Sequence, residues 1–150
     1  MQYLLSISIY IFIFSFFGFS QDSKKTTAKY FSDFDLEIYS PAFFKKKGFT
    51  KYKEMVSFLD TLEIKYPKKV SVKFIGESQN GLKIPMVFLG NASSEFKVCF
   101  MGGLHGNEPA STEGMLFLIN NLIKEDSLKY LVDNLNIAII PMANIDGYEK

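Results

Sequence analysis

Apolar and polar positions along this chain change period several times, and each change marks an element. From Thr50 the residues Tyr52, Met55, Val56, Leu59, Leu62 and Tyr66 recur at three- and four-residue steps, which predicts an amphipathic helix stopped by Pro67. Val70, Val72 and Phe74 then alternate with Ser71 and Lys73, the pattern of a half-buried strand ending at Gly76. The polar stretch Glu77 to Lys83 reads as a hairpin connection into a second strand, Ile84 to Leu89, and Asn91 to Ser94 as the next turn. Val98, Cys99, Phe100 and Met101 form an unbroken apolar run, as in a strand buried on both faces. After Pro109, the positions Met115, Leu118, Ile119, Leu122 and Ile123 predict a helix of several turns. Ser127 to Asn134 reads as a short helix or turn, and Leu135 to Met142 as another buried strand running into the turn Asn144 to Tyr148. Strand, helix, strand is a βαβ unit, so the expected fold is α/β, with a mixed, largely parallel sheet flanked by helices.

The amino terminus follows a different rule. From Leu4 to Phe19 the chain is almost wholly apolar and ends in Gly18, Phe19 and Ser20 before QDSKK, which predicts a secretory signal peptide over residues 1–20 and an exported, periplasmic or extracellular protein. No Lys or Arg precedes the run, and Lys24 and Lys25 follow it, so an uncleaved membrane anchor is the alternative, and a membrane contact is expected only in that case. Residues 21–48 have no clear period and read as a linker or surface arm, with Lys45 to Lys47 a solvated charge run. Composition changes this picture little. The chain has 150 residues, enough for one modest domain, and a net charge of +1, which gives no electrostatic case for nucleic acid. Cys99 is the single cysteine, so no intramolecular disulfide forms, and its apolar setting predicts a buried small hydrophobe.

Candidate chemistry sits where the apolar run gives way. Gly102 and Gly103 let the backbone turn, and Leu104, His105, Gly106, Asn107 and Glu108 lead into Pro109. His105 and Glu108 are thus delivered to the carboxyl end of a strand, where open α/β sheets keep their ligand crevices. Imidazole and carboxylate both suit Zn(II) at roughly 2.0 to 2.2 Å. Right-handed crossover brings the Asn144 to Tyr148 turn towards His105, where Asp146 can accept the second ring N–H of a metal-bound imidazole. An ordinary Asp-Gly turn is the plainer alternative for Asp146. Glu113 has a structural explanation in the helix dipole and faces away from Glu108.

Taken together, KYKEMVSFLDTLEIKYP, the turn Ile75 to Gly81, G-G-L-H-G-N-E-P and I-I-P-M-A-N-I-D-G-Y resemble the zinc metallocarboxypeptidases of the carboxypeptidase A/B and N/E type, from about Thr50 onwards. The resemblance implies a Zn2+ cofactor held by His105 and Glu108, Asp146 as the partner of the His105 ring, and Asn107 where pancreatic-type members carry a substrate-polarising arginine. It implies peptide or protein carboxyl termini as substrates. It gives Glu113 no catalytic role. Leu82 and Ile145 depart from the usual arginine and proline, with an effect expected on packing more than on chemistry. In the family the third ligand, a histidine, the general-base glutamate and the groups holding the substrate carboxylate come later than Lys150. Residues 49–150 are therefore expected to be the amino-terminal part of such a catalytic domain, incomplete at the carboxyl end and inactive alone. Two other functions stay open here: an aspartoacylase-like zinc deacylase, which shares H-G-N-E, and a non-catalytic binding protein that keeps part of the fold.

Overall fold

The first α-helix among the described residues, α1 (Tyr52–Lys65), buries Met55, Leu59 and Leu62 on one stripe, as its three- and four-residue apolar spacing requires. The structure, a computed structural model, describes residues 40–45 and 47–150. The leader and most of the arm expected over 21–48 lie outside the described residues. After α1 come β1 (Val70–Glu77), β2 (Lys83–Gly90), β3 (Lys97–Met101), α2 (Pro109–Lys124), α3 (Lys129–Asn134), β4 (Asn136–Ile140) and the single turn α4 (Ile145–Tyr148). Two 3-10 turns, Pro41–Phe44 and Asp126–Leu128, complete the set.

The four strands form one sheet in the order β1-β2-β4-β3. It is mixed: β1 pairs with β2 and β2 with β4 in antiparallel sense, and β3 runs parallel to β4. Among the described residues the parallel share is therefore the β3–α2–β4 unit that the apolar pattern predicts. Val87 and Leu89 of β2 stand opposite Ile139 and Ile137 of β4, and these side chains share one face of the sheet. That face carries the core, a single cluster to which α1 adds Met55, Leu59 and Leu62, and α2 adds Leu116, Ile119, Leu122 and Ile123. Each such fully buried side chain contributes about 1.5–3 kcal/mol. Ile145 and Leu82, the two departures noted above, both belong to this packing, Ile145 inside the cluster and Leu82 against it.

The register corrects one expectation. Val98 and Phe100 of β3 share the covered face with Ile137 and Ile139, whereas Lys97, Cys99 and Met101 share a face with Ala138 and Ile140, to which no described helix adds a core residue. Cys99 is consequently exposed, not buried, and β3 as a whole is a half-open edge strand. An unbroken apolar run cannot by itself distinguish a strand covered on both faces from one whose second face is bare.

The start of α1 is built from one local and two distant carboxylates. Its leading N–H groups have no partner inside the helix. Glu113 accepts the Thr50 N–H at 2.6 Å and the Thr50 hydroxyl at 2.9 Å. Glu54 accepts the Lys51 N–H at 2.6 Å, and Glu149 the Tyr52 N–H at 2.9 Å. Three consecutive amides are thus held by three acids, one in the first turn of α1 and two far away in sequence. Glu113 lies beyond the first turn of α2, so its place is explained by Thr50 more than by the helix dipole. Lys45 pairs with Glu54 and donates to Phe49 O, so this end of the expected solvated run is a clasp on α1.

Candidate functional site

Where β3 ends, three further backbone hydrogen bonds keep its continuation beside that of β4. Gly102 N–H donates to Ile140 O at 2.8 Å, Ala143 N–H to Gly102 O at 2.9 Å and Asn144 N–H to Gly103 O at 2.8 Å. Only residues without side chains fit this approach. A Cβ on Gly102 would lie 2.8 Å from Pro141 O, and Gly103 sits at φ +60 with Met142 Cα 2.9 Å from the corresponding position. The two strands therefore hand over, side by side, the turn His105–Glu108 and the turn Asn144–Tyr148.

In the first turn Glu108 N–H donates to His105 O at 3.1 Å, closing four residues before Pro109 opens α2. Ser111 Oγ accepts the Gly103 N–H at 2.9 Å and donates to Glu108 O at 3.2 Å, tying the turn to the first helical residues. This closure brings His105 Nδ1 to 3.1 Å from Glu108 Oε2. Both side chains are about two-thirds exposed, at 65% and 64%. Asn107 between them is exposed.

In the second turn Asn144 Oδ1 accepts the Gly147 N–H at 3.0 Å and caps the single turn of α4. The two turns touch through their glycines: a Cβ on Gly106 would lie 2.1 Å from Gly147 C. Asp146, however, is engaged elsewhere. Its carboxylate accepts the Ser78 hydroxyl at 2.7 Å and the Asn80 N–H at 3.1 Å, both in the β1–β2 connection. The structure thus brings His105 and Glu108 together and the Asp146 turn beside them, but gives the Asp146 carboxylate to Ser78 and Asn80 and not to the His105 ring. Ser78 and Asn80 were not legible as site neighbours, because S-Q-N-G reads as an ordinary polar turn and its partner is 68 residues from Ser78.

The donor set can be tested against zinc directly. A tetrahedral ion with bonds of about 2.1 Å sets two of its donor atoms about 3.4 Å apart. The Nδ1 and Oε2 atoms are within a few tenths of an ångström of that spacing, and both are zinc donors by chemistry. Among the described residues no group of three or more His, Cys, Asp or Glu side chains gathers in a metal-binding arrangement. The residues present therefore fit as two of the usual three protein ligands. A cleft of about 440 Å³ lined by Lys69, Gly90, Ile123, Glu125 and Asp133 opens at the opposite end of the sheet, and none of its lining residues belongs to this group.

Fold and paired turns define an α/β protein that presents an imidazole and a carboxylate at the carboxyl edge of its sheet. The family model described as zinc carboxypeptidase matches residues 55–150, and the chain belongs to that family. It is 33% identical over 108 residues to carboxypeptidase D of Homo sapiens, covering 66% of this chain and 8% of that protein. To carboxypeptidase B of Astacus astacus it is 29% identical over 100 residues, covering 65% of this chain and 33% of the other. Among solved structures, carboxypeptidase A from Helicoverpa armigera superposes with a TM-score of 0.65 at 24% identity, over 75% of this chain and 28% of that one. The chain thus spans at most a third of these relatives, and the structural likeness speaks to the fold.

Proposed function

We propose that this chain carries part of a zinc-dependent carboxypeptidase site, in which His105 Nδ1 and the Glu108 carboxylate are two of the metal's protein ligands. The observation that carries the reading is their 3.1 Å approach at the carboxyl end of a parallel strand, in a chain of the zinc carboxypeptidase family. Bound zinc would supply an acidified water and a polarised substrate carbonyl. The chain's own residues hold the donors: the closed turn fixes Glu108 against His105, Ser111 ties that turn to α2, and Ser78 with Asn80 fixes Asp146 behind the neighbouring turn. In this reading the exposed Asn107 faces the substrate, which would be a peptide or protein carboxyl terminus. Names of the relatives favour this over deacylation, since each is a carboxypeptidase. Export through the leader completes the proposal. Among the described residues no helix is long and apolar enough to cross a membrane.

With one histidine in the sequence, a second imidazole ligand is not available within these 150 residues. The chain alone is therefore expected to bind zinc modestly and to release no carboxyl-terminal residues from peptides. Calorimetric titration with Zn(II) should show one site in the chain and a loss of at least about tenfold in affinity in His105→Ala, the scale at which even a residue supporting a ligand acts. Binding unaffected by that substitution would support a non-catalytic protein. Robust zinc-dependent turnover by the pure chain would refute its expected inactivity.

A further inference from the structure

The connection between β1 and β2 is tied first to itself. Ser78 N–H donates to Leu82 O at 2.8 Å, and Gly81 N–H donates to Ser78 O at 3.0 Å. Gly81 makes the turn at φ +77, and the Leu82 side chain anchors the far end against the core. Leu82 N–H also donates to Ser78 Oγ at 3.1 Å, which fills a lone pair of that hydroxyl and leaves its proton to be given elsewhere. That proton goes to Asp146 Oδ1 at 2.7 Å, while Asn80 N–H goes to Oδ2 at 3.1 Å. Each oxygen of the carboxylate is thus held by its own donor, so its plane is fixed as well as its position. Ser78 and Asp146 are both half-buried.

We infer that Ser78 is a positioning residue for the His105 and Glu108 pair, acting through Asp146. Asp146 precedes Gly147 in the single turn of α4, and Gly147 is the surface on which Gly106 rests: a Cβ on Gly106 would lie 2.1 Å from Gly147 C and 2.2 Å from Gly147 O. Gly106 directly follows His105, inside the turn that the Glu108 N–H closes. A shift of α4 towards that contact therefore meets no slack, and it moves the backbone that spaces the imidazole from the carboxylate. One turn of helix is too short to hold itself. Ile145 and Tyr148 root α4 in the core, and the grip on Asp146 fixes how the turn sits about that root. Asn80 contributes only its backbone N–H, so among the described residues Ser78 is the one side chain of the connection at which the grip can be cut. For metal affinity this role rests on the ligand pair proposed above; for the shape of the turn it does not.

Threonine and valine share β-branching and differ in the hydroxyl, so Ser78→Thr and Ser78→Val isolate that group. The full chain and both variants are titrated calorimetrically with Zn(II), and the contact between the Gly106 and Gly147 α-protons is read in the zinc-free proteins by nuclear Overhauser spectroscopy. Ser78→Val should weaken the glycine contact and lower zinc affinity about tenfold, the lower end of what groups that orient a ligand contribute. Ser78→Thr should keep both as in the parent. If Ser78→Val does not fold, Ser78→Ala makes the same comparison with Ser78→Thr. A hydroxyl that served stability alone would lower the urea midpoint of Ser78→Val and leave the glycine contact intact, and an intact contact overturns the inference. So does an unchanged affinity in Ser78→Val where His105→Ala has shown that zinc binds at His105. Zinc binding indifferent to His105→Ala would instead sink the ligand reading, and the glycine contact would still decide the role of Ser78.

Discussion

Tyr148 shows how much one atom can matter in a small core. Its hydroxyl is buried with no hydrogen-bond partner among the described residues, and burial, helped by the nearby carboxylates of Glu113, Glu149 and Glu54, pushes its pKa up to about 12. The folded state therefore keeps a proton that the unfolded chain loses near the ordinary value of 10.0. Stability from this residue is whole below pH 10 and falls as pH rises from there towards 12. Tyr148→Phe removes both the orphan hydroxyl and the titration. Its chemical unfolding at pH 7 should show an unchanged or higher stability, by about 1 kcal/mol, and its alkaline unfolding limb should move upward. Glu54 works in the opposite direction. The Lys45 ammonium, and after it the Lys51 N–H, holds its carboxyl below the usual 4.5, so it contributes stability above that pH that is lost as pH falls through the lowered value. Glu54→Gln should flatten the acid limb of an unfolding curve below about pH 4.5 relative to the parent.

At the scale of elements, the site depends on backbone more than on side chains. Gly106 against Gly147 is the closest approach between the two turns, and a methyl group at Gly106 has nowhere to go. Gly106→Ala should force the turns apart, destabilise the chain by about 2 kcal/mol and weaken zinc binding, with urea unfolding and metal titration as the two readings. The elements themselves were legible: the 3.6-residue period of α1 and α2 and the glycine turn after Met101 correspond to what the structure shows, whereas the alternation in β1 places the strand but not its burial, since Val70 and Val72 meet the core and Phe74 is exposed. The convergence of the His105 and Asp146 turns followed from crossover handedness alone. What the sequence could not show was the allocation of polar partners. Nothing in the spacing of Thr50 and Glu113, or of Ser78 and Asp146, marks them as bonded, because the contact is made by the tertiary fold and not by a local period. Cys99 was misread for a related reason. Burial of a strand face depends on what lies across it, and an apolar run carries no record of that.

For the molecule as a whole, one cluster joins α1, α2, β2 and β4, so its members should fail together. Leu116 is fully buried at its centre, and Leu116→Ala should cost about 2–5 kcal/mol, read from denaturant unfolding. For a chain of this size that is a large part of the total stability. The same wholeness governs how the chain is made. The first turn of α1 is held by acids at positions 54, 113 and 149, so on a ribosome that helix emerges long before its last anchor is synthesised. Its Tyr52 N–H stays unsecured through nearly a hundred further residues of elongation, and a pause or cut before Glu149 would leave this helix of the nascent polypeptide unfinished.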